Sequence, residues 1–141
     1  MMISTRGRYA LRIIIDLAEQ QTSENIRLKD ISERQCISLK YMESIMALLV
    51  KNKIVEGFHG KGGGYRLTRK PSEYKVGEIL RLTEGSLSPV SCLECAEGSE
   101  CPRKEDCKTL PIWLHLDKLI NNYLDSISIG DLIRVNEGMW I

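Results

Sequence analysis

LKDISERQCISLKYMESIMALLVKNKIVEGFHGKGGGYRLT occupies residues 28–68. Its first part predicts a short helix from about Leu28 to Arg34. Gln35-Cys36-Ile37 then makes a tight connection, and Ser38 has the short hydroxyl side chain that suits a helix N-cap. A second helix is expected from about Leu39 to Asn52, with Leu39, Met42, Ile45, Met46 and Leu49 spaced three and four apart on its buried side. Lys40, Tyr41, Glu43 and Ser44 point elsewhere. Two helices joined by about three residues, the second with a polar first turn, fit a helix-turn-helix. Many helical hairpins share that pattern, so the segment that follows carries the distinction. Lys53 to Phe58 alternates as a short strand, residues 59–64 (HGKGGG) form a glycine-rich turn, and Tyr65 to Thr68 returns as a second strand. A basic hairpin directly after a helix-turn-helix is the wing of a winged helix. The glycine run is no nucleotide-binding loop, because it lacks the G-x4-G-K-[ST] order and lies between strands rather than before a helix.

Outward from this stretch, residues 5–20 predict a helix capped by Ser4 or Thr5, with Tyr9, Ala10, Ile13, Ile14, Leu17 and Ala18 on one broad stripe. Val76 to about Thr83 is a short helix presenting Val76, Ile79 and Leu80, stopped at Glu84-Gly85. A long helix is expected from about Lys108 to Asp125. Its apolar stripe holds Leu110, Trp113, Leu116, Ile120, Tyr123 and Leu124, widened by Ile112 and Leu119. One short domain cannot easily cover that much apolar surface, so the helix is read as a dimerisation element. Ser128 and Asp131 have the spacing of a capping box for a short final helix. The fold class expected is mainly α with a small β-hairpin. A winged helix-turn-helix occupies 1–84, a cysteine-rich loop 85–107, and a dimerisation helix with its tail 108–141.

The net charge of +1 conceals an asymmetry. Residues 1–75 hold 14 Lys and Arg against 8 Asp and Glu, whereas residues 76–141 hold 6 against 11. A basic first half suits a polyanion partner such as double-stranded DNA. On the first turn of the proposed recognition helix, Ser38, Lys40, Tyr41 and Glu43 are placed to reach base edges. Arg6, Arg8, Lys51, His59 and Lys61 are candidates for phosphate or minor-groove contacts. No apolar run approaches the roughly 18 residues of a membrane span, and the first twenty residues read as a helix rather than a signal peptide. A cytoplasmic protein is therefore expected, in which clustered thiols favour metal over disulfide.

Four cysteines fall within sixteen residues of the polar stretch SCLECAEGSECPRKEDC: Cys92, Cys95, Cys101 and Cys107. Four thiolates satisfy a two-iron or four-iron cluster, or a tetrahedral zinc ion. Structural zinc sites usually pair two C-x2-C knuckles, and this loop has one, with gaps of five residues elsewhere. The spacing thus favours iron–sulfur and leaves zinc as the alternative. Cys36 lies apart, at the bend between the two helices, and is expected to be small and buried. His59 and His115 have no cysteine at useful spacing, and His115 is expected on a helix surface.

The stretches STRGRYA at 4–10, DISERQ at 30–35, ISLKYME at 37–43, GKGGGY at 60–65 and VGEIL at 76–80, with the cysteine loop followed by Trp113, carry a resemblance over nearly the whole chain. They resemble the Rrf-two family of winged-helix transcription regulators, which has iron–sulfur assembly, nitric oxide-sensing and cysteine-metabolism branches. The resemblance implies homodimers joined through the long helix, palindromic operators read by the recognition helix in the major groove with the wing near the minor groove, and in many members repression. It also implies a cluster on three loop cysteines. One family spacing falls on Cys95, Cys101 and Cys107, the other on Cys92, Cys101 and Cys107. The positions of the usual fourth ligands, a histidine after the last cysteine or an acidic residue of the first helix, are Leu110 and Arg8 here. The spare cysteine, Cys92 or Cys95, is then the expected replacement. Other readings are the same regulator under zinc, thiol-redox or partner-protein control, and a ferredoxin-like electron carrier, against which the wing and the basic first half stand.

Overall fold

A computed structural model describes residues 3–20, 24–94 and 101–134 of the chain. Cys95 lies outside the described residues. Among the described residues, six α-helices and one hairpin follow in order: α1 (Thr5–Gln20), α2 (Leu28–Gln35), α3 (Leu39–Lys51), β1 (Val55–Phe58), β2 (Gly64–Leu67), α4 (Val76–Glu84), α5 (Leu110–Ser126) and α6 (Ile129–Leu132). Short 3-10 turns at Pro71–Glu73 and Ser91–Leu93 link the later elements. The predicted winged helix-turn-helix and long helix are present. Their boundaries differ by one or two residues, for local reasons.

Helix α1 turns Ala10, Ile13, Ile14, Leu17 and Ala18 into the core, as its stripe predicts. Ser4 caps it: its hydroxyl accepts from the Gly7 N–H at 3.1 Å and donates to Glu84 Oε1 at 2.6 Å. The Ser4 N–H reaches the same carboxylate oxygen at 3.1 Å. The start of α1 is thus tied to the end of α4, and a Cβ on Gly7 would collide with the Glu84 carboxylate.

The turn between α2 and α3 corrects one expectation. Cys36 is exposed, not buried. It is the residue that reverses the chain, in the left-handed conformation at φ 53°, with its N–H on the Ser32 carbonyl. Its thiol stays at the surface, 3.8 Å from the Glu33 carbonyl of α2. The Ser32 hydroxyl closes the turn by donating to the Ile37 carbonyl at 2.6 Å. Leu39 is also more open than its spacing suggests, at 43% exposed, because it sits on the first turn ahead of the packed part of α3. Met42, Ile45, Met46 and Leu49 are buried as expected. Lys53, expected in the strand, instead takes φ 59° to redirect the chain, so β1 begins at Val55.

The wing is antiparallel, with Val55 opposite Leu67 and Phe58 opposite Gly64. Ile26 lies beside β2 as an isolated bridge, exchanging hydrogen bonds with Tyr65 at 2.9 and 2.7 Å. Gly64 has φ +148°, and a Cβ there would stand 2.5 Å from the Ile26 carbonyl oxygen, so glycine is what lets the segment before α2 lie against the wing. Tyr74 anchors the wing's base. Its ring is fully buried, its hydroxyl donates to the Ile54 carbonyl at 2.9 Å and accepts from the Arg69 N–H at 2.8 Å. Tyr74→Phe leaves the buried Ile54 carbonyl and the half-buried Arg69 N–H without this partner and is expected to cost about 1–2 kcal/mol, read as a lower urea midpoint with unchanged slope.

Helix α5 starts at Leu110 rather than Lys108, with Pro111 in its first turn, where a missing N–H costs nothing. Ile120 and Leu124 pack on a small second core of Val76, Leu80 and Leu87. Arg81 of α4 clamps α5 near its end, donating to both Asp125 carboxylate oxygens at 2.9 and 2.7 Å and to Asn121 Oδ1 at 2.8 Å. The predicted capping box forms: Ser128 Oγ accepts from the Asp131 N–H and Asp131 Oδ2 from the Ser128 N–H. Ile129 is fully buried in the main core, beside α1 and Tyr74. The chain beyond α5 therefore returns to the winged helix and fastens the C-terminal end of α5 to it. The opposite end carries Cys107.

Candidate nucleic-acid interface and metal centre

The first turn of α3 presents Ser38, Lys40, Tyr41 and Glu43 to solvent. Ser38 Oγ accepts from the Tyr41 N–H at 3.3 Å, which stiffens that turn and leaves the Ser38 hydroxyl proton free to donate. Arg6 and Arg8 project from the first turn of α1, where Arg8 Nη2 donates to Thr5 Oγ1 at 3.2 Å. A groove of about 430 Å³ runs between α3 and the wing, lined by Glu43, Lys51, Phe58 and His59 among others. It brings three of the predicted residues, Glu43, Lys51 and His59, to one place. Lys61 is exposed in the turn between β1 and β2. Within the wing, Arg66 pairs with Glu56 at 3.2 Å and covers the Phe58 ring at 4.7 Å from its centroid.

Three residues next to Tyr41 escape sequence reasoning. Tyr9 meets the Tyr41 ring edge-to-face, with centroids 5.7 Å apart and planes at 75°. The Arg12 guanidinium lies 5.2 Å from the Tyr9 centroid. Arg12 Nε donates to Gln35 Oε1 at 3.1 Å, and its Nη2 donates to the Gln35 carbonyl. Tyr9 sits on the apolar stripe of α1 and reads as core. The i, i+3 spacing of Tyr9 and Arg12 is the one signal that hints at a stacked pair. Deeper in, Asp16 is 2% exposed and accepts from Arg34 Nη2 at 2.7 Å, Arg34 Nε at 3.1 Å and Gln35 Nε2 at 2.8 Å. That hydrogen bonding holds the Arg34 guanidinium above its usual pKa.

The described parts of the cysteine segment lie beside the N-terminal end of α5. Cys92 lies in the turn Ser91–Leu93, and Cys107 two residues before the helix cap Thr109. Cys92, Cys101 and Cys107 line one cavity of about 240 Å³, with Leu93, Leu110 and Leu114 as its apolar walls and Lys104 beside them. The Cys107 thiol is held below the ordinary thiol pKa, chiefly by a hydrogen bond from the Thr109 side chain, helped by the backbone N–H groups of Thr109 and Leu110 and by the Arg103 charge. Thr109 Oγ1 is 3.4 Å from Cys107 Sγ. Thiolate is the form that binds metal. Leu110 lines this same cavity and offers no donor. Cys36 and His115 are exposed elsewhere. Among the described residues no three His, Cys, Asp or Glu already stand at metal-binding separation, so the thiols share a cavity without being drawn onto a common point. The donor set suits a soft, thiolate-bound centre.

Comparison with known proteins agrees with this architecture. The sequence profile of the Rrf2 family, described as iron-dependent transcriptional regulator, matches residues 3–135. The HTH-type transcriptional regulator IscR of Aliivibrio salmonicida is 38% identical over 138 residues, covering 97% of this chain and 80% of its own length. Among solved structures, CymR, the global cysteine regulator of B. subtilis, superposes with a TM-score of 0.77 at 31% identity, covering 97% of this chain and 99% of its own. T. potens IscR does so with a TM-score of 0.74 at 31% identity, covering 100% and 97%. No helix among the described residues is long and apolar enough to cross a membrane.

Proposed function

This chain belongs to the Rrf2 family of transcriptional regulators, and from that premise we propose that it is a homodimeric operator-binding protein whose DNA affinity follows an iron–sulfur cluster held before α5. The family's members bind DNA and are not enzymes, which removes the electron-carrier reading. The observation that carries the cluster reading is the shared cavity of Cys92, Cys101 and Cys107. Those three thiolates, with Cys95 as the fourth, would hold a two-iron or four-iron cluster, which supplies a centre able to change oxidation state. Leu93, Leu110 and Leu114 would shield it from water on the protein side.

The chain's own contacts supply a route from this loop to DNA. Cys107 is two residues from the cap of α5; Arg81 binds α5 to α4; Glu84 at the end of α4 binds Ser4 at the start of α1; and Arg6 and Arg8 lie on the turn that follows. A change in the loop's ligation would reposition α5, and through these bonds the DNA-facing turn of α1. The second copy of the chain would cover the face of α5 that its own winged helix leaves open, where Ile112, Leu119 and Tyr123 are 56%, 54% and 57% exposed. In the bound state Ser38, Lys40, Tyr41 and Glu43 address base edges in the major groove, while Arg6, Arg8, Lys51, His59 and Lys61 meet phosphates or the minor groove.

A second reading is favoured by the likeness to the global cysteine regulator. It keeps the DNA-binding dimer but gives the cysteines to zinc or to thiol-based control. Anaerobic purification followed by visible absorption and by iron, sulfide and zinc analysis separates the two. Iron and sulfide in similar amounts support the cluster; stoichiometric zinc with no visible band overturns it. DNA contact by the wing has its own check. Lys61→Ala is expected to weaken binding to all duplexes alike and to reduce the slope of log affinity against log salt by about one. An unchanged slope removes Lys61 from the phosphate contacts.

A further inference from the structure

We propose that Tyr9 is a positioning residue for DNA readout, holding the Tyr41 ring in one orientation, with Arg12 and Gln35 fixing Tyr9 in turn from the buried Asp16. The inference rests on the reading of the first turn of α3 as the base-contacting segment. Tyr41 is 36% exposed, and an exposed tyrosine on a helix surface exchanges rotamers unless something restrains it. Here the edge-to-face contact with Tyr9, at 5.7 Å and 75°, is the restraint. Tyr9 is half-buried on α1, so its ring cannot swing freely. Its environment is completed by the Arg12 guanidinium at 5.2 Å, itself fixed by two bonds to Gln35. Gln35 is anchored by its amide on Asp16 Oδ2 at 2.8 Å, and Asp16 is locked by Arg34. Contacts therefore run unbroken from a buried carboxylate to a surface ring on the recognition helix. Such an arrangement lowers the ordering cost of binding at Tyr41 and contributes to sequence discrimination rather than to charge attraction.

The test uses the full chain, a palindromic duplex recovered by selection from a random pool, and a scrambled duplex of equal length. Tyr9→Leu is expected to weaken the selected duplex roughly three- to tenfold, the range that loss of an aromatic pair covers. Binding to the scrambled duplex and the salt slope stay as in the wild type, and Tyr9→Phe restores full affinity. In a Tyr41→Ala background, Tyr9→Leu has no further effect. If Tyr9→Leu folds poorly by thermal melting, Arg12→Leu asks the same question from an exposed position, with the ratio of selected to scrambled affinity as readout. Equal losses on both duplexes, or full additivity with Tyr41→Ala, overturn the inference while leaving Tyr41 as a contact. A Tyr41→Ala protein that binds the selected duplex like the wild type overturns the underlying reading of Tyr41, and the inference with it.

Discussion

Cys107→Ser, purified without oxygen, is expected to lose most of its iron and sulfide and the visible absorption that goes with them. A serine hydroxyl stays protonated at neutral pH, whereas the Cys107 thiol is already biased toward thiolate by Thr109, the backbone of the first turn of α5 and Arg103. Leu110, on the adjacent wall of the cavity, offers no donor in its place. Cys101→Ser should behave in the same way. Cys92→Ser and Cys95→Ser report on the fourth ligand: each is expected to lower the cluster content, because the usual external ligand positions are Leu110 and Arg8. Cys36→Ser, exposed at the bend between α2 and α3, is expected to keep the full complement. The DNA affinity of Cys107→Ser should equal that of metal-free wild type, since both lack the same constraint on α5.

Arg34→Leu is expected to lower folding stability by about 3 kcal/mol. Asp16 is 2% exposed, and Arg34 supplies most of its hydrogen bonding through a two-pronged contact. Removing the guanidinium leaves a buried carboxylate with only the Gln35 amide. The effect sits at the low end of the range for broken buried pairs, because the Arg34 side chain is itself 38% exposed. Urea unfolding followed by circular dichroism measures it. An Asp16→Leu, Arg34→Leu double variant should recover much of the loss, since an apolar pair has no stranded charge. If the single and double variants are equally unstable, packing rather than the charge dominates at this site.

The order of elements was legible because each has a local cause. Ser38 caps α3, and Ser128 with Asp131 forms a box that needs no distant partner. What sequence reasoning missed depends on contacts between distant segments. Cys36 looked like a small core residue, yet it supplies a left-handed turn at the surface and is exposed there. Tyr9 looked like core because it shares a stripe with Ile13 and Leu17; its edge contact with Tyr41 exists only once α1 and α3 are packed. The same holds for Asp16, a charged residue inside an apolar stripe, whose partner is eighteen residues away. In the loop, the family resemblance allowed two cysteine triplets. Cys92, Cys101 and Cys107 line one cavity at the start of α5, and Cys95 lies outside the described residues.

The central claim is that the state of the cysteine loop sets operator affinity. The direct measurement compares protein reconstituted with iron and sulfide and the same protein after chelation, each titrated without oxygen onto one selected palindromic duplex at fixed salt. The account predicts dissociation constants that differ by about 5- to 150-fold, as a coupling of about 1–3 kcal/mol requires, with the difference absent in Cys107→Ser. Equal affinities for the loaded and stripped wild-type protein would contradict it.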